Sequence, residues 1–94
     1  MRHIAAEDRG DAISVWPNPV REELNIAWHN DLKKMPRRFE VHDLLGQVVA
    51  RGEVEAGTSA ALWQCSSVPS GTYVLSVFDG SQALLASFPI VKVR

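Results

Sequence analysis

The sequence predicts an all-β domain, a single immunoglobulin-like antiparallel β-sandwich of about seven short strands. Short runs in which apolar and polar residues alternate recur at a spacing of about 8–12 residues, and turn residues separate them. Evidence for helices is poor. The best candidate begins at Asn30 and is stopped by Pro36, so residues 30–38 are interpreted as a loop with at most one helical turn.

The individual strands follow from period-2 alternation, which places every second side chain on the same face of a sheet. The predicted inward sets are Leu24, Ile26 and Trp28; Phe39 and Val41; Tyr73, Leu75 and Val77; and Leu84, Ala86 and Phe88. Ile13–Trp16, Val48-Val49 and Leu62-Trp63 mark three further strands. Asp79-Gly80 predicts a hairpin between the last two strands. Pro89 predicts an edge position or a bulge.

Length and composition restrict the classes of protein to consider. Ninety-four residues with 46% hydrophobic content suit one small folded domain, and a formal charge of -1 gives no reason to expect nucleic-acid binding. No apolar run approaches the roughly 20 residues of a membrane helix. Residues 1–12 are polar and small, lack the apolar segment of a signal peptide, and are interpreted as a linker or added residues; residues 13–94 are interpreted as the domain.

Catalysis is not expected. His42-Asp43 is interpreted as a strand residue followed by a turn aspartate, because the further His and Asp ligands of a metal hydrolase are missing. The single cysteine, Cys65, is interpreted as a small core residue rather than a nucleophile. No cofactor and no metal are predicted.

Aromatic and basic residues leave a binding module open as an alternative. Trp16 and Trp28 are predicted to fill the core, whereas Leu62 competes with Trp63 for the inward position. A non-catalytic module for carbohydrate or protein would instead expose Trp28 or Trp63 beside polar groups. The basic residues between Lys33 and Arg38 are interpreted as a solvated loop.

Three short motifs stand in order along the chain. The first is Trp16-Pro17-Asn18-Pro19, in which the prolines fix their own φ and make a stiff, kinked connection. The second is Asp43-Leu44-Leu45-Gly46, whose glycine suits the positive φ of a tight turn. The third is Pro69-Ser70-Gly71-Thr72-Tyr73, which leads into a strand. A basic and apolar tail containing Lys92 and Arg94 ends the sequence.

Together the motifs resemble the type A C-terminal sorting domain of the type IX (Por) secretion system of Bacteroidetes. The resemblance begins near Ile13 and covers most of the chain. It implies a non-catalytic address that directs an N-terminal cargo through the periplasm and across the outer membrane to the cell surface or the medium. It also implies two partners, the type IX translocon and a sortase-like protease that cleaves in the linker, after which the cargo is attached to the surface or released.

The resemblance assigns the motif positions to recognition or to the fold that recognition needs. They are Trp16, Pro17, Asn18, Pro19, Asp43, Gly46, Pro69, Gly71, Tyr73, Lys92 and Arg94. The covalent cargo would precede the linker in a full-length precursor. The isolated domain is predicted to be a monomer or a weak dimer that neither binds nucleic acid nor spans a membrane.

Overall fold

The computed structural model describes residues 12–94, which form two antiparallel sheets. The strands are β1 (Ile13–Trp16), β2 (Glu23–Trp28), β3 (Pro36–Asp43), β4 (Val48–Glu53), β5 (Ala60–Gln64), β6 (Gly71–Asp79) and β7 (Leu84–Lys92). One sheet has the order β1-β2-β5 and the other the order β4-β3-β6-β7. The predicted β-sandwich of seven short strands is therefore confirmed.

The inward faces of the two sheets supply the core. Leu24, Ile26 and Trp28 on β2 are buried, as are Phe39 and Val41 on β3. Tyr73, Leu75 and Val77 on β6 are buried as well, so the alternation predicted for these three strands is confirmed. Each large side chain of this kind contributes roughly 1.5–3 kcal/mol to folding.

The three tryptophans differ in position. Trp28 and Trp63 are buried, and Leu62 next to Trp63 is exposed. Trp16 is 47% exposed, so the prediction that it fills the core is wrong. Ile13 is the buried residue of β1, and by alternation Trp16, three positions later, faces outward. Cys65 is fully buried, as predicted for a core residue.

Two local predictions need correction. A bulge opposite Val77 and Phe78 inserts Leu85 into the β6–β7 ladder. Leu85 is therefore buried, whereas Leu84 lies on the outer face and does not share a face with Ala86. The basic segment is also divided between two elements, because β3 already begins at Pro36. Arg38 is therefore a strand residue, and its guanidinium lies 4.1 Å from the centre of the Phe78 ring.

Gly52 on β4 allows the close approach of a core aromatic ring. Phe39 pairs with Gly52 across the ladder, and a Cβ built on Gly52 would lie 2.2 Å from Phe39 Cε2. The ring thus occupies the space that any other residue at position 52 would fill, which explains a glycine inside this strand.

Candidate functional site

The strand register places all three sequence motifs at one end of the sandwich. Ile13 pairs with Trp28, whereas Glu23 at the other end of β2 pairs with Gln64. In the larger sheet, Gly71 pairs with Lys92. The end that contains the connection from β1 to β2, the turn from β3 to β4, the start of β6 and the end of β7 is called here the motif end. The chain enters β1 at the opposite end.

The Pro-Asn-Pro segment is fixed to the last strand by its asparagine. Asn18 Nδ2 donates to the carbonyl oxygen of Pro89 at 2.8 Å, and Asn18 Oδ1 accepts from the backbone N–H of Val91 at 2.9 Å. The side-chain amide thus pairs with the free edge of β7 as a peptide group of a further strand would. Both Pro17 and Pro19 follow cis peptide bonds, which the sequence did not indicate.

Val20 also forms backbone hydrogen bonds with the edge strand β7. Its N–H donates to the carbonyl of Val91 at 2.8 Å, and its carbonyl accepts from the N–H of Val93 at 2.9 Å. Val20 itself is fully buried. Pro89 fits here because its nitrogen faces this outer edge rather than β6, so the predicted edge position of Pro89 is confirmed.

The Asp43 turn is organised by one carboxylate oxygen. Asp43 Oδ1 accepts from the backbone N–H groups of Leu45 and Gln47, each at 2.9 Å, and Gly46 has a φ of 87°. The prediction of positive φ at Gly46 is confirmed. The turn leaves Leu44 72% exposed and Leu45 86% exposed at its tip.

The Pro-Ser-Gly-Thr-Tyr motif is closed by its tyrosine. Tyr73 Oη donates to the carbonyl oxygen of Pro69 at 2.6 Å, which fastens the loop before β6 to the strand. The Tyr73 ring meets Trp63 edge-on, with the ring centres 6.4 Å apart. Gly71 is the first residue of β6, and a Cβ added there would make ordinary contact with the Tyr73 ring at 3.9 Å.

The two basic residues of the tail differ in exposure. Lys92 is 5% exposed, and its Nζ donates to the carbonyl of Val93 at 3.0 Å. Arg94 is exposed, and its main-chain oxygen accepts a hydrogen bond from Arg21. Burial raises the pKa of the Cys65 thiol, against a smaller opposing effect of the Lys92 charge.

Carboxylates elsewhere in the domain serve the fold. Burial pushes the pKa of Glu40 upward, but the hydrogen bond from Arg38 and the charges of Arg38 and Arg51 outweigh it, so the pKa is lowered. Hydrogen bonds from Ala83 and Ser81 lower the pKa of Asp79. Within residues 12–94, no group of three or more His, Cys, Asp or Glu side chains is placed to hold a metal ion.

The structure thus places all eleven residues singled out in the sequence at the motif end. Some of them are exposed and others are buried. Sequence reasoning missed Val20, Arg21 and the edge role of Asn18. An apolar residue directly after the Pro-Asn-Pro segment is the one sequence signal that could have pointed to Val20. No local pattern links residue 18 to residue 91, which lies 73 positions away.

Comparison with known proteins decides the family. The model of the secretion system C-terminal sorting domain matches residues 14–91. The chain belongs to this family. No curated protein matches the sequence.

A solved structure has the same fold as this sorting domain. It is that of PorZ, described as an essential bacterial surface component of the type IX secretion system of Porphyromonas gingivalis. The likeness has a TM-score of 0.67 at 21% identity, and it covers 96% of this chain and 12% of the PorZ chain. The chain therefore spans about an eighth of that relative. In residues 12–94 of the sorting domain, no helix is both long and apolar enough to cross a membrane.

Proposed function

We propose that this sorting domain is the C-terminal address of a longer precursor, whose N-terminal cargo it directs across the outer membrane through the type IX secretion system. The observation that carries the proposal is the position of the motifs, since all three and the tail lie at the end opposite the entry into β1. A cargo joined ahead of Ile13 leaves that end free. β6, with nine residues, separates the two ends by roughly 30 Å.

Eight of the eleven motif residues fall into two groups, by their contacts or by their exposure. Asn18, Asp43, Gly46 and Tyr73 hold the fold of the motif end through their hydrogen bonds or backbone angle. Trp16, Pro17, Pro19 and Arg94 are exposed and remain open to a partner. The translocon is proposed to contact the exposed group and the leucines of the Asp43 turn.

Processing is proposed to occur ahead of the domain. A sortase-like protease would cut within residues 1–12, which apart from Ala12 lie outside the described residues. A cut there leaves the sandwich intact and frees the cargo for attachment to the surface or for release. The domain would be exposed to the translocon in the periplasm and would act as a monomer or weak dimer.

The alternatives receive less support. A carbohydrate or protein module built on Trp28 or Trp63 required an exposed ring, and both are buried. The sorting-domain family is not known as catalytic, and no described feature favours an enzyme. The exposed Trp16 lies within the first sorting motif and fits the proposed recognition surface.

A reporter experiment tests the proposal. A signal peptide and a fluorescent protein are fused ahead of the chain in a bacterium that has a type IX system, with a translocon-deficient strain as control. Reporter at the surface or in the medium of the first strain, and in the periplasm of the second, is expected. The mass of the exported reporter then locates the cleaved bond, which is expected within residues 1–12.

Truncation of the tail would be a poor test of recognition. Removing residues 88–94 deletes most of β7 and the partners of Asn18 and Val20, so loss of export would report unfolding as well as recognition. Point variants of exposed residues are therefore the better test. Retention of the intact fusion in the periplasm of the competent strain, with the domain folded, would contradict the proposal.

A further inference from the structure

A cation-lined cavity of about 620 Å³ opens at the motif end. It lies between the start of β2, the loop from β5 to β6 and the end of β7. Arg21, Lys92 and Arg94 contribute positively charged side chains, and Glu22 contributes a carboxylate side chain. The remaining lining residues are Ser66, Val68, Pro69 and Ser70.

Lys92 is the unusual member of this cavity. Alternation along β7 turns its side chain inward after Ile90, and 5% of the residue remains exposed. Its ammonium group has three N–H donors, and the carbonyl of Val93 takes one of them. No carboxylate among residues 12–94 forms an ion pair with it. Within residues 12–94, the ammonium group therefore has two N–H donors left for an acceptor from outside the domain.

Backbone pairing between the β1–β2 connection and β7 places the three basic side chains close together. Arg21 directly follows Val20, whose backbone pairs with Val91 and Val93 on either side of Lys92. Arg21 also donates to the main-chain oxygen of Arg94. The edge pairing therefore aligns a basic residue of the β1–β2 connection with both basic residues of the tail, and the cavity exists as a consequence of that pairing.

We propose that this cavity binds a carboxylate side chain on an acidic peptide segment of the partner that recognises the domain. The inference rests on the proposed function and names the chemistry of the same partner. Val68 and Pro69 offer an apolar wall beside the cations, which suits the methylene stem of a glutamate or aspartate. Glu22 in the lining repels a doubly charged phosphate more strongly than a singly charged carboxylate, which favours the carboxylate.

The binding test uses the 94-residue chain labelled with ¹⁵N and a capped peptide of four glutamates flanked by glycines. The matched peptide has glutamines in place of the glutamates. Lys92→Met keeps the buried stem and removes the charge, and Lys33→Met removes one exposed charge at the opposite end. NMR shift changes at Arg21, Lys92 and Arg94 are expected with the acidic peptide. Lys92→Met is expected to weaken binding by at least about tenfold, and Lys33→Met to leave it unchanged.

Thermal unfolding separates a site from a structural role. Lys92→Met is expected to melt no lower than the parent chain, because it keeps the buried stem and removes a charge that has no carboxylate partner among residues 12–94. Equal binding by both lysine variants, binding of the glutamine peptide, or no shift at the three cations would overturn the proposal. Shifts at these residues with inorganic phosphate or phosphatidylglycerol vesicles, and none with the acidic peptide, would overturn it in favour of a phosphate ligand.

The export assay then distinguishes this proposal from the wider one. If the parent fusion is exported and Lys92→Met is retained in the periplasm as a folded domain, both proposals hold. If the parent fusion is not exported, the sorting role fails, and the peptide titration still decides whether the cavity binds a carboxylate. If Lys92→Met is exported as well as the parent, the cavity is not the point of recognition.

Discussion

The turn after β3 and the turn after β6 have the same hydrogen bonds at opposite ends of the sandwich. In each, an aspartate Oδ1 accepts from the N–H groups two and four residues later, namely Leu45 and Gln47 for Asp43, and Ser81 and Ala83 for Asp79. Each aspartate N–H also donates to the carbonyl four residues on. Two chemically different sequences thus form one geometry.

The differences between the turns show which features the geometry does not require. Positive φ falls on Gly46 in the first turn and on Gln82 in the second, so glycine is favourable there without being obligatory. The tip of the first turn is Leu44-Leu45 and that of the second is Gly80-Ser81. Since Gly80-Ser81 forms the same turn, the shape of the Asp43 turn does not require the exposed leucines.

The largest effect is expected from removing each aspartate. Asp79→Ala leaves two backbone N–H groups and the Ser81 hydroxyl without their acceptor in a buried position. Asp43→Ala removes two bonds at a half-exposed position and should cost about 1–2 kcal/mol. The measurement is urea unfolding of both variants. Asp79→Ala is expected to lower the urea midpoint more than Asp43→Ala does, and an equal or smaller decrease would contradict this expectation.

The second test uses pH on the Asp79 turn. The folded-state pKa of Asp79 is lowered, so its contribution to stability is present above the unfolded value of about 3.9 and is lost as pH falls through the folded value. Asp79→Asn should therefore differ most from the parent at neutral pH, and the difference should shrink below about pH 4. A difference that grows on acidification would refute the assigned cause.

The third test exchanges the residues at positive φ. Gly46→Ala should destabilise the domain by about 1 kcal/mol, and Gln82→Gly should stabilise it by up to about 1 kcal/mol. No atom lies within 4 Å of a Cβ added at Gly46, so the cost is conformational rather than steric. Equilibrium unfolding of the two single variants checks the opposite signs. The double variant should return close to the parent value, because the two sites lie at opposite ends.

These turns also show how much of the structure can be predicted from the sequence. Asp43 and Gly46 lie within one short segment, so local turn chemistry is enough to predict their geometry. The φ of Gln82 was not predictable in this way, because Gly80 in the same turn is the residue that sequence reasoning favours. Strand alternation predicted β2, β3 and β6, and it failed on β7, where a bulge shifts Leu84 outward.

Long-range pairing accounts for the remaining differences. Asn18 and Val20 meet β7 through bonds that span more than 70 residues, and no periodicity in the chain encodes that contact. Gly52 is required by a ring on the neighbouring strand and not by a turn. The motif positions were predicted because the family resemblance lists them, whereas the joining of Arg21, Lys92 and Arg94 into one cavity depends on the edge pairing.

The smallest effect on stability, and the most direct test of the comparison, is expected from the leucines. Leu44→Gly combined with Leu45→Ser gives the Asp43 turn the two tip residues of the Asp79 turn. Both side chains are largely exposed, so unfolding should change by less than about 0.5–1 kcal/mol. If the motif end is recognised through these leucines, export of the reporter should fall several-fold while the domain stays folded. The reciprocal change, Gly80→Leu with Ser81→Leu, places the same apolar tip at the opposite end and should neither restore nor reduce export. Undiminished export of the first variant would show that the leucines are solvent-exposed without a role in sorting, and would leave the exposed prolines, Trp16 and the tail as the recognised surface.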